Sequence, residues 1–362
     1  MARPRFLLVA ALASLWLTGS LAAADAPLLA GVASADITPP PGLNLWGYTN
    51  RTHGATGTLD PLTAKALVLK QGETCVALVA LDLGRTPEDP LLEKLRADVR
   101  ASSGVDHLFA TASHTHSAPS LESSDGPNQF GPQVVVAMQR AIDEAARRLA
   151  PVTLAIGRGT VELAHNRRRY LPDGRVAMQW RNAEREKTEP VDPRFTVLRL
   201  DDADGKPVAV LLHYACHPVV LGPDNYEYSA DFVGAARSLI EERLGTTCLF
   251  LQGACGNINP YDDKTPLTQG GLELMRRMGR ALGQAAVEQA RSATPDASRE
   301  PSLQSVRREI PLKLRWDLGD ARVRQILSAA YGRRFDNYLS KILSGDRVNV
   351  ELNVVLLNEQ VA

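Results

Sequence analysis

Three of the seven histidines close strand-like runs, and their placement is the first sign of chemistry in the chain. His114 and His116 stand two apart in "TASHTHSAPS", directly after the apolar run "HLFAT". If the strand continued, both imidazoles would lie on one face and could reach a single ion. His217 ends another apolar run, "VAVLLHYACHP", just before Pro218. Neutral imidazole is the commonest zinc ligand, and a catalytic zinc uses three protein ligands and keeps one position open. A His-x-His segment can supply two ligands, or one ligand and a neighbouring base. A strand end whose imidazoles hydrogen-bond the adjacent loop is the non-functional alternative. Two further segments bear on the choice. "NRRRY" (166–170) offers a guanidinium that could meet a substrate carbonyl or a developing oxyanion. "LQGACGNINP" carries glycines at 253 and 256, where backbone N–H groups could approach a ligand.

The elements that must position these residues follow from periodicity. "TAKALVLKQGETCVALVALDL" reads as two strands around Gln71-Gly72-Glu73. Pro90 opens a helix with Leu91, Leu92, Leu95 and Val99 at helical spacing. The strand "HLFATAS" reads as buried on both faces and delivers His114 and His116 at its end. After a Ser/Pro/Gly loop (117–132), a helix places Val135, Met138, Ile142 and Leu149 on one side. "FTVLRLDDADGKPVAVLLHYACHP" is a second hairpin, turned at Asp-Ala-Asp-Gly. A helix over 232–243, the strand "CLFLQ" and a helix over 270–291 follow. Strands alternating with helices, interrupted by hairpins, predict an α/β fold with a mixed sheet. "RVNVELNVVLLNEQVA" alternates as a strand up to a turn at Asn358-Glu359.

Composition narrows the function classes. The 362 residues are 44% hydrophobic, and 41 Lys and Arg balance 41 Asp and Glu. That balance excludes a basic nucleic-acid footprint. At 5%, aromatic residues are too sparse for a stacking platform. A small-molecule or lipid substrate stays open, as does peripheral membrane contact; oligomeric state is not legible. Residues 1–24 read as a signal peptide, with Arg3 and Arg5, an apolar stretch from Leu7 to Leu21, and Ala22-Ala23-Ala24 before Asp25. The expected product is exported, periplasmic or extracellular, with one domain over residues 25–362. Cys75, Cys216, Cys248 and Cys255 lack CxxC spacing; export permits disulfides, and buried thiols are the expected outcome.

Several blocks in one order carry a resemblance. "ADITPPPGLNLWGY", "GTLDPLTAKALVL", "ASHTHSAPS", "NRRRYLPDG", "VDPRFTVLRLDDADGKPVAVLLHYACHPVVLG", "YSADFVG" and "LQGACGNINP" resemble the neutral/alkaline ceramidase family. They are most similar to bacterial ceramidase-like proteins holding only its N-terminal domain. The resemblance runs from about residue 28 to the end. It implies mixed β-sheets flanked by helices in a layered sandwich, and a zinc-dependent amidohydrolase acting on ceramide or a related N-acyl lipid. It implies His114 and His217 as metal ligands and His116 as a neighbour positioning water or moving a proton. Arg167 would face the scissile carbonyl, and Gly256 would line the substrate.

Two departures accompany the resemblance. Where the family carries Gly-Asp-Val-Ser-Pro with a catalytic serine, this chain has Gly256-Asn257-Ile258-Asn259-Pro260. No serine nucleophile is available there, although Asn259 could donate a hydrogen bond to a carbonyl or water. Cys255 has no histidine beside it in sequence and is not expected to replace that nucleophile. The family's Glu and Tyr ligands fall in a later stretch, so the domain is expected to be incomplete at its C-terminus; Glu359 is not expected to substitute. A zinc hydrolase of another amide or ester, or a degenerate envelope protein that binds ligand without catalysis, are the alternatives.

Overall fold

The computed structural model describes residues 26–121, 130–295, 301–331, 347–358 and 360–361. The expected signal segment, part of the Ser/Pro/Gly loop and Glu359 lie outside the described residues. Two compact units are present, Met1–Ser302 and Leu303–Ala362.

In the first unit, β1 (Leu29–Asp36), β2 (Thr63–Gln71), β3 (Thr74–Leu81) and β4 (His107–Ala112) form one sheet. Their order is β4-β3-β2-β1, with Ala150–Pro151 at the far edge. β2 and β3 are the expected hairpin, paired through Gln71 and Thr74. Gly72 takes the left-handed backbone (φ 55°) that such a two-residue turn demands. Helix α1 (Asp89–Ser103) starts with a proline in its first turn and stops at Gly104, whose left-handed N–H returns to the Arg100 carbonyl. It carries the chain across to β4, which runs parallel to β3. β4 is an edge strand, and only its Leu108 and Phe109 are fully buried. Its apolar composition predicted burial on both faces; the edge position leaves the rest half-covered.

A second sheet follows, built from β5 (Thr153–Thr160), β6 (Arg194–Asp201), β7 (Pro207–Tyr214) and β8 (Thr247–Gln252) in the order β8-β7-β6-β5. β6 and β7 are the second expected hairpin. β7 and β8 are parallel, joined through α3 (Asp231–Leu244). Both sheets are therefore mixed in their own way, the first antiparallel except for β4, the second except for β8.

Period-two alternation explains the layers. On β2, Ala64, Ala66 and Val68 face α1 and α2 (Phe130–Arg147), meeting Leu95, Val99, Met138 and Ile142. Leu149, expected in that helix, lies just past its end and packs half-buried against the same cluster. Leu67 and Leu69 point the other way and are fully buried, as are Leu200, Ala209 and Leu249 of the second sheet. The outer face of the second sheet packs Val197, Val210, Leu212 and Phe250 against Phe232, Ile240, Leu282 and Ala286 of α3 and α4 (Gly271–Ser292). The result is helices, sheet, sheet, helices. Strands buried on both faces read as continuous apolar runs, which is why "AKALVL" shows no alternation in sequence.

Polar ties cross the layers. Asp82, directly after β3, pairs at 2.7 Å with Arg237 of α3, and both side chains are buried. The same carboxylate accepts the Thr63 N–H and hydroxyl at 2.8 and 2.7 Å. Lys65 of β2 pairs with Glu241 of α3.

In the second unit, Leu303–Lys313 pairs antiparallel with Arg347–Leu357, confirming the alternation read there as a strand. Gln360–Val361 returns along it. Ala321–Tyr331 is helical. Among the described residues no helix is long and apolar enough to cross a membrane. All four cysteines are free and buried.

Removing one partner of a buried ion pair strands the other charge in the interior. Asp82→Ala is expected to lower the unfolding free energy in urea by ~3–5 kcal/mol, with Asp82→Leu/Arg237→Met recovering most of it. A loss below about 1 kcal/mol in the single variant would show that the pair does not clasp the layers.

Candidate metal and catalytic site

The three strand-end histidines meet where the two sheets end side by side. β4 stops at Ala112, and the chain is held alongside the first sheet by Ser113 N–H to the Leu81 carbonyl and His114 N–H to the Leu83 carbonyl, both 2.9 Å. His114 then turns into the left-handed region (φ 70°). This conformation costs an ordinary residue about 1–2 kcal/mol and ends the strand. His114 and His116 are therefore not neighbours on one strand face, as their spacing alone suggested; a backbone turn brings them together. His217 arrives from the second sheet, three residues after β7, with its N–H on the Ile258 carbonyl at 2.9 Å.

The ring centroids of His114 and His217 are 4.7 Å apart, and His116 lies 5.5 and 5.4 Å from them. One ring nitrogen of each lies within 4.8 Å of the others. His114 Nδ1 bonds the Gly84 carbonyl at 2.7 Å, and His217 Nδ1 bonds the Cys255 carbonyl at 2.8 Å. A carbonyl can only accept, so Nδ1 carries the proton in both rings and the Nε2 lone pair is left free. This is the outer hydrogen bond that characteristically orients metal-binding histidines. His116 differs, since both its ring nitrogens are buried with no hydrogen-bond partner. Burial pushes His116 down to about 2 and His217 down to about 4, with the neighbouring imidazoles, Lys264 and either Arg51 or Arg167 adding to the effect. His114 is lowered as well, again chiefly by burial. All three rings are held neutral, the form a metal requires.

A single side chain links the two histidine loops. Gln252, the last residue of β8, donates from Nε2 to the Ser113 carbonyl at 2.6 Å and to the Cys216 carbonyl at 3.0 Å. It thus bonds the residue preceding His114 and the residue preceding His217. The rings are walled by Trp46, 4.8 Å edge-on to both His114 and His116, and by Tyr48, 4.9 Å from His116. Gly47 between them takes φ 97°, and a Cβ there would come within 2.4 Å of His116 Nδ1. Arg51 bonds the His116 carbonyl at 2.6 Å. Sequence reasoning passed over Gln252, Trp46, Gly47, Tyr48 and Arg51. The signals available were a polar residue closing an apolar strand and a glycine between two aromatics in "LWGY".

Arg167 and Asn259 are brought together because Ala164–Asn166 pairs antiparallel with Ile258–Pro260. The Arg167 guanidinium sits 4.8 Å from the Trp180 ring and approaches Asn259 Oδ1 at 3.5 Å. Its Nε is buried without a partner. Its charge is among those disfavouring protonation of His114 and His217. Lys264 covers the same Trp180 ring from 4.2 Å and is paired with the buried Asp263 at 2.7 Å. Asn259 is fully buried and donates Nδ2 to Asp263 at 2.7 Å. Its Oδ1 faces the Arg167 guanidinium and its amide N–H is committed to Asp263. Gly256 is exposed, and a Cβ there would meet nothing within 4 Å, so no close backbone approach requires a glycine. Gly253 does need to be one, because a Cβ would lie 2.7 Å from that of Ala215. The Cys255 thiol is raised by burial, which disfavours a nucleophilic thiolate.

Residues 28–266 match the family described as neutral/alkaline non-lysosomal ceramidase, N-terminal. The chain is 26% identical over 254 residues to a neutral ceramidase of Drosophila pseudoobscura pseudoobscura, covering 65% of this chain and 35% of that protein. Its fold resembles that of neutral ceramidase from Pseudomonas aeruginosa, with a TM-score of 0.68 at 19% identity, over 92% of this chain and 61% of the other. It also resembles a ceramidase complexed with C2, with a TM-score of 0.66 at 22% identity, over 80% of this chain and 48% of that one. The chain thus spans 35% to 61% of the length of these relatives. With the ordered blocks, the layered mixed sheets and the three-histidine cluster in place, the match over residues 28–266 makes the chain a member of the neutral/alkaline non-lysosomal ceramidase family.

Proposed function

We propose that His114, His116 and His217 hold a zinc ion and that the chain hydrolyses the amide bond of ceramide or a related N-acyl lipid. The observation that carries this reading is the donor set. Two imidazoles have their Nδ1 protons committed to the Gly84 and Cys255 carbonyls, and the third has two buried nitrogens without a partner. Leaving such atoms unpaired in the interior is costly, and a cation on the free lone pair of each ring offsets part of that cost. A zinc ion there would act as a Lewis acid toward the amide carbonyl and would acidify water for attack.

The chain's own residues supply the remaining functions. Arg167 is placed to donate to the carbonyl oxygen as negative charge develops on it, held by Trp180 below and Asn259 behind. Asn259 acts through Arg167 as a positioning residue. His116 was expected to move a proton to the leaving amine, but its enclosure by Trp46, Tyr48 and Gly47 favours a third metal donor instead. Three imidazoles meet the requirement for three protein ligands with one open position. Gln252 keeps the loops in register. The family supports a sphingolipid substrate, and the residues at 1–24 support export to the periplasm or medium.

Purified protein dialysed against metal-free buffer is expected to retain about one zinc per chain, and His114→Ala or His217→Ala to lose it. Wild-type content below about 0.2 zinc per chain would sink the metal reading. In a zinc titration Gly47→Ala and Gln252→Leu are expected to weaken zinc affinity by about 10–100-fold.

For ceramide hydrolysis, followed as released fatty acid, Arg167→Ala is expected to lower kcat by about 10²–10³-fold while KM changes far less. An Arg167→Ala enzyme with full kcat would remove the guanidinium from the reaction.

A further inference from the structure

The segment that delivers Arg167 continues into a two-stranded hairpin, Arg168–Tyr170 paired with Val176–Met178. Among the described residues no third strand joins it. The register sets Arg168 opposite Met178 and Tyr170 opposite Val176, so these four side chains share one face. Trp180 follows two residues beyond Met178, after Gln179, whose N–H bonds the Arg167 carbonyl at 2.8 Å. Four large apolar side chains are exposed together here: Tyr170 at 66%, Val176 at 46%, Trp180 at 44% and Met178 at 42%. A strand normally buries such a face, and this one is left in solvent.

Its charge is equally biased. Residues 167–181 hold five arginines against one aspartate, in a chain whose formal net charge is zero. Arg175 pairs with Asp173 and Arg169 with Glu186, but these pairs are exposed and neutralise little of the local field. Tyrosine and tryptophan with an apolar strip and flanking arginines is the composition that settles at a bilayer–water interface. The strip is also directional. It ends at Trp180, the ring that carries the Arg167 guanidinium at 4.8 Å.

We propose that this hairpin is a membrane-docking element, which lays Tyr170, Val176 and Met178 into a bilayer bearing anionic headgroups, with Arg168 on that face and Arg169 and Arg175 on the opposite face reaching the phosphates around its rim. Given a lipid substrate, as proposed above, the strip delivers it from the membrane to the site along the element that carries Arg167. A second copy of the chain is a poorer occupant. A hairpin tip of four such side chains offers far less than the ~800 Å² per partner of a stable protein interface, and paired arginine faces would repel.

The test is sedimentation of the full chain with vesicles of phosphatidylcholine alone or with about 30% phosphatidylglycerol, at low and high salt. Wild-type protein is expected to sediment with the anionic vesicles and to be released by salt. Tyr170→Ser/Val176→Ser/Met178→Ser is expected to bind at least tenfold more weakly, an estimate from the apolar area removed. Arg168→Gln/Arg169→Gln/Arg175→Gln is expected to lose the preference for the anionic vesicles. Both variants should keep the wild-type thermal midpoint and rate on a short-chain, water-dispersed N-acyl substrate, and lose activity only on vesicle-embedded substrate. Unchanged sedimentation of the triple serine variant would overturn the proposal. So would a concentration-dependent dimer that this variant loses, in a chain that ignores vesicles. Vesicle binding that depends on the hairpin, in protein inactive on every substrate, would uphold docking and count only against the hydrolase reading.

Discussion

The Gln252 carboxamide ties together two histidine loops that come from different sheets. Its Nε2 donates to the carbonyls of Ser113 and Cys216, the residues immediately before His114 and His217. Those histidines belong to different sheets, one following β4 and the other β7, and no local interaction in either sheet relates them. Two mixed sheets packed face to face can slide and twist relative to each other, and a metal site tolerates little of either. A two-pronged amide at the end of β8 converts the packing of the layers into a defined distance between loops. The buried Asp82–Arg237 pair adds a second tie, from the segment after β3 to α3. Leu83 and Gly84, which hold His114 by its N–H and its ring, follow Asp82 directly. The site therefore inherits its rigidity from the interior of the sandwich.

Desolvation supplies its chemistry. The imidazoles sit among Trp46, Tyr48 and one another, with Arg51, Arg167 and Lys264 around them. In such surroundings a protonated imidazole is disfavoured twice, by burial and by like charge. His114 and His217 direct their Nδ1 protons at backbone carbonyls and leave their Nε2 lone pairs free. The positive surroundings also favour an anionic oxygen developing at the site, and Arg167 provides a directed donor for it. The left-handed turn at His114 is the local cost of bringing two residues of one loop into this arrangement.

Much of the architecture was legible. Both hairpins, the helices after Pro90 and Ser229, and the strands ending near His114, His217 and Gln252 follow from apolar periodicity and turn residues, which are properties of neighbouring positions. The edge position of β4 was not legible, because a strand's composition records how apolar its neighbours are and not how many of them there are. The surroundings of Gly256 and Asn259 were not legible either. Gly256 is exposed in open space, while Asn259 is enclosed behind Arg167, and only the pairing of 164–166 with 258–260 distinguishes the two.

Sequence by itself determined which residue types were available for chemistry: two histidines around Thr115, a third before Pro218, and a guanidinium after Asn166. It also determined the order of strands and helices that would carry them, since both depend on residue identity and short-range spacing. Tertiary structure decided that His114, His116 and His217 come together, that Nδ1 of His114 and His217 meets the Gly84 and Cys255 carbonyls, and that Gln252 spans the loops. Those are contacts between segments 30 to 139 residues apart along the chain, made by the closing of two sheets on each other. No local pattern encodes such a contact, because either partner looks the same in sequence whether or not the other arrives.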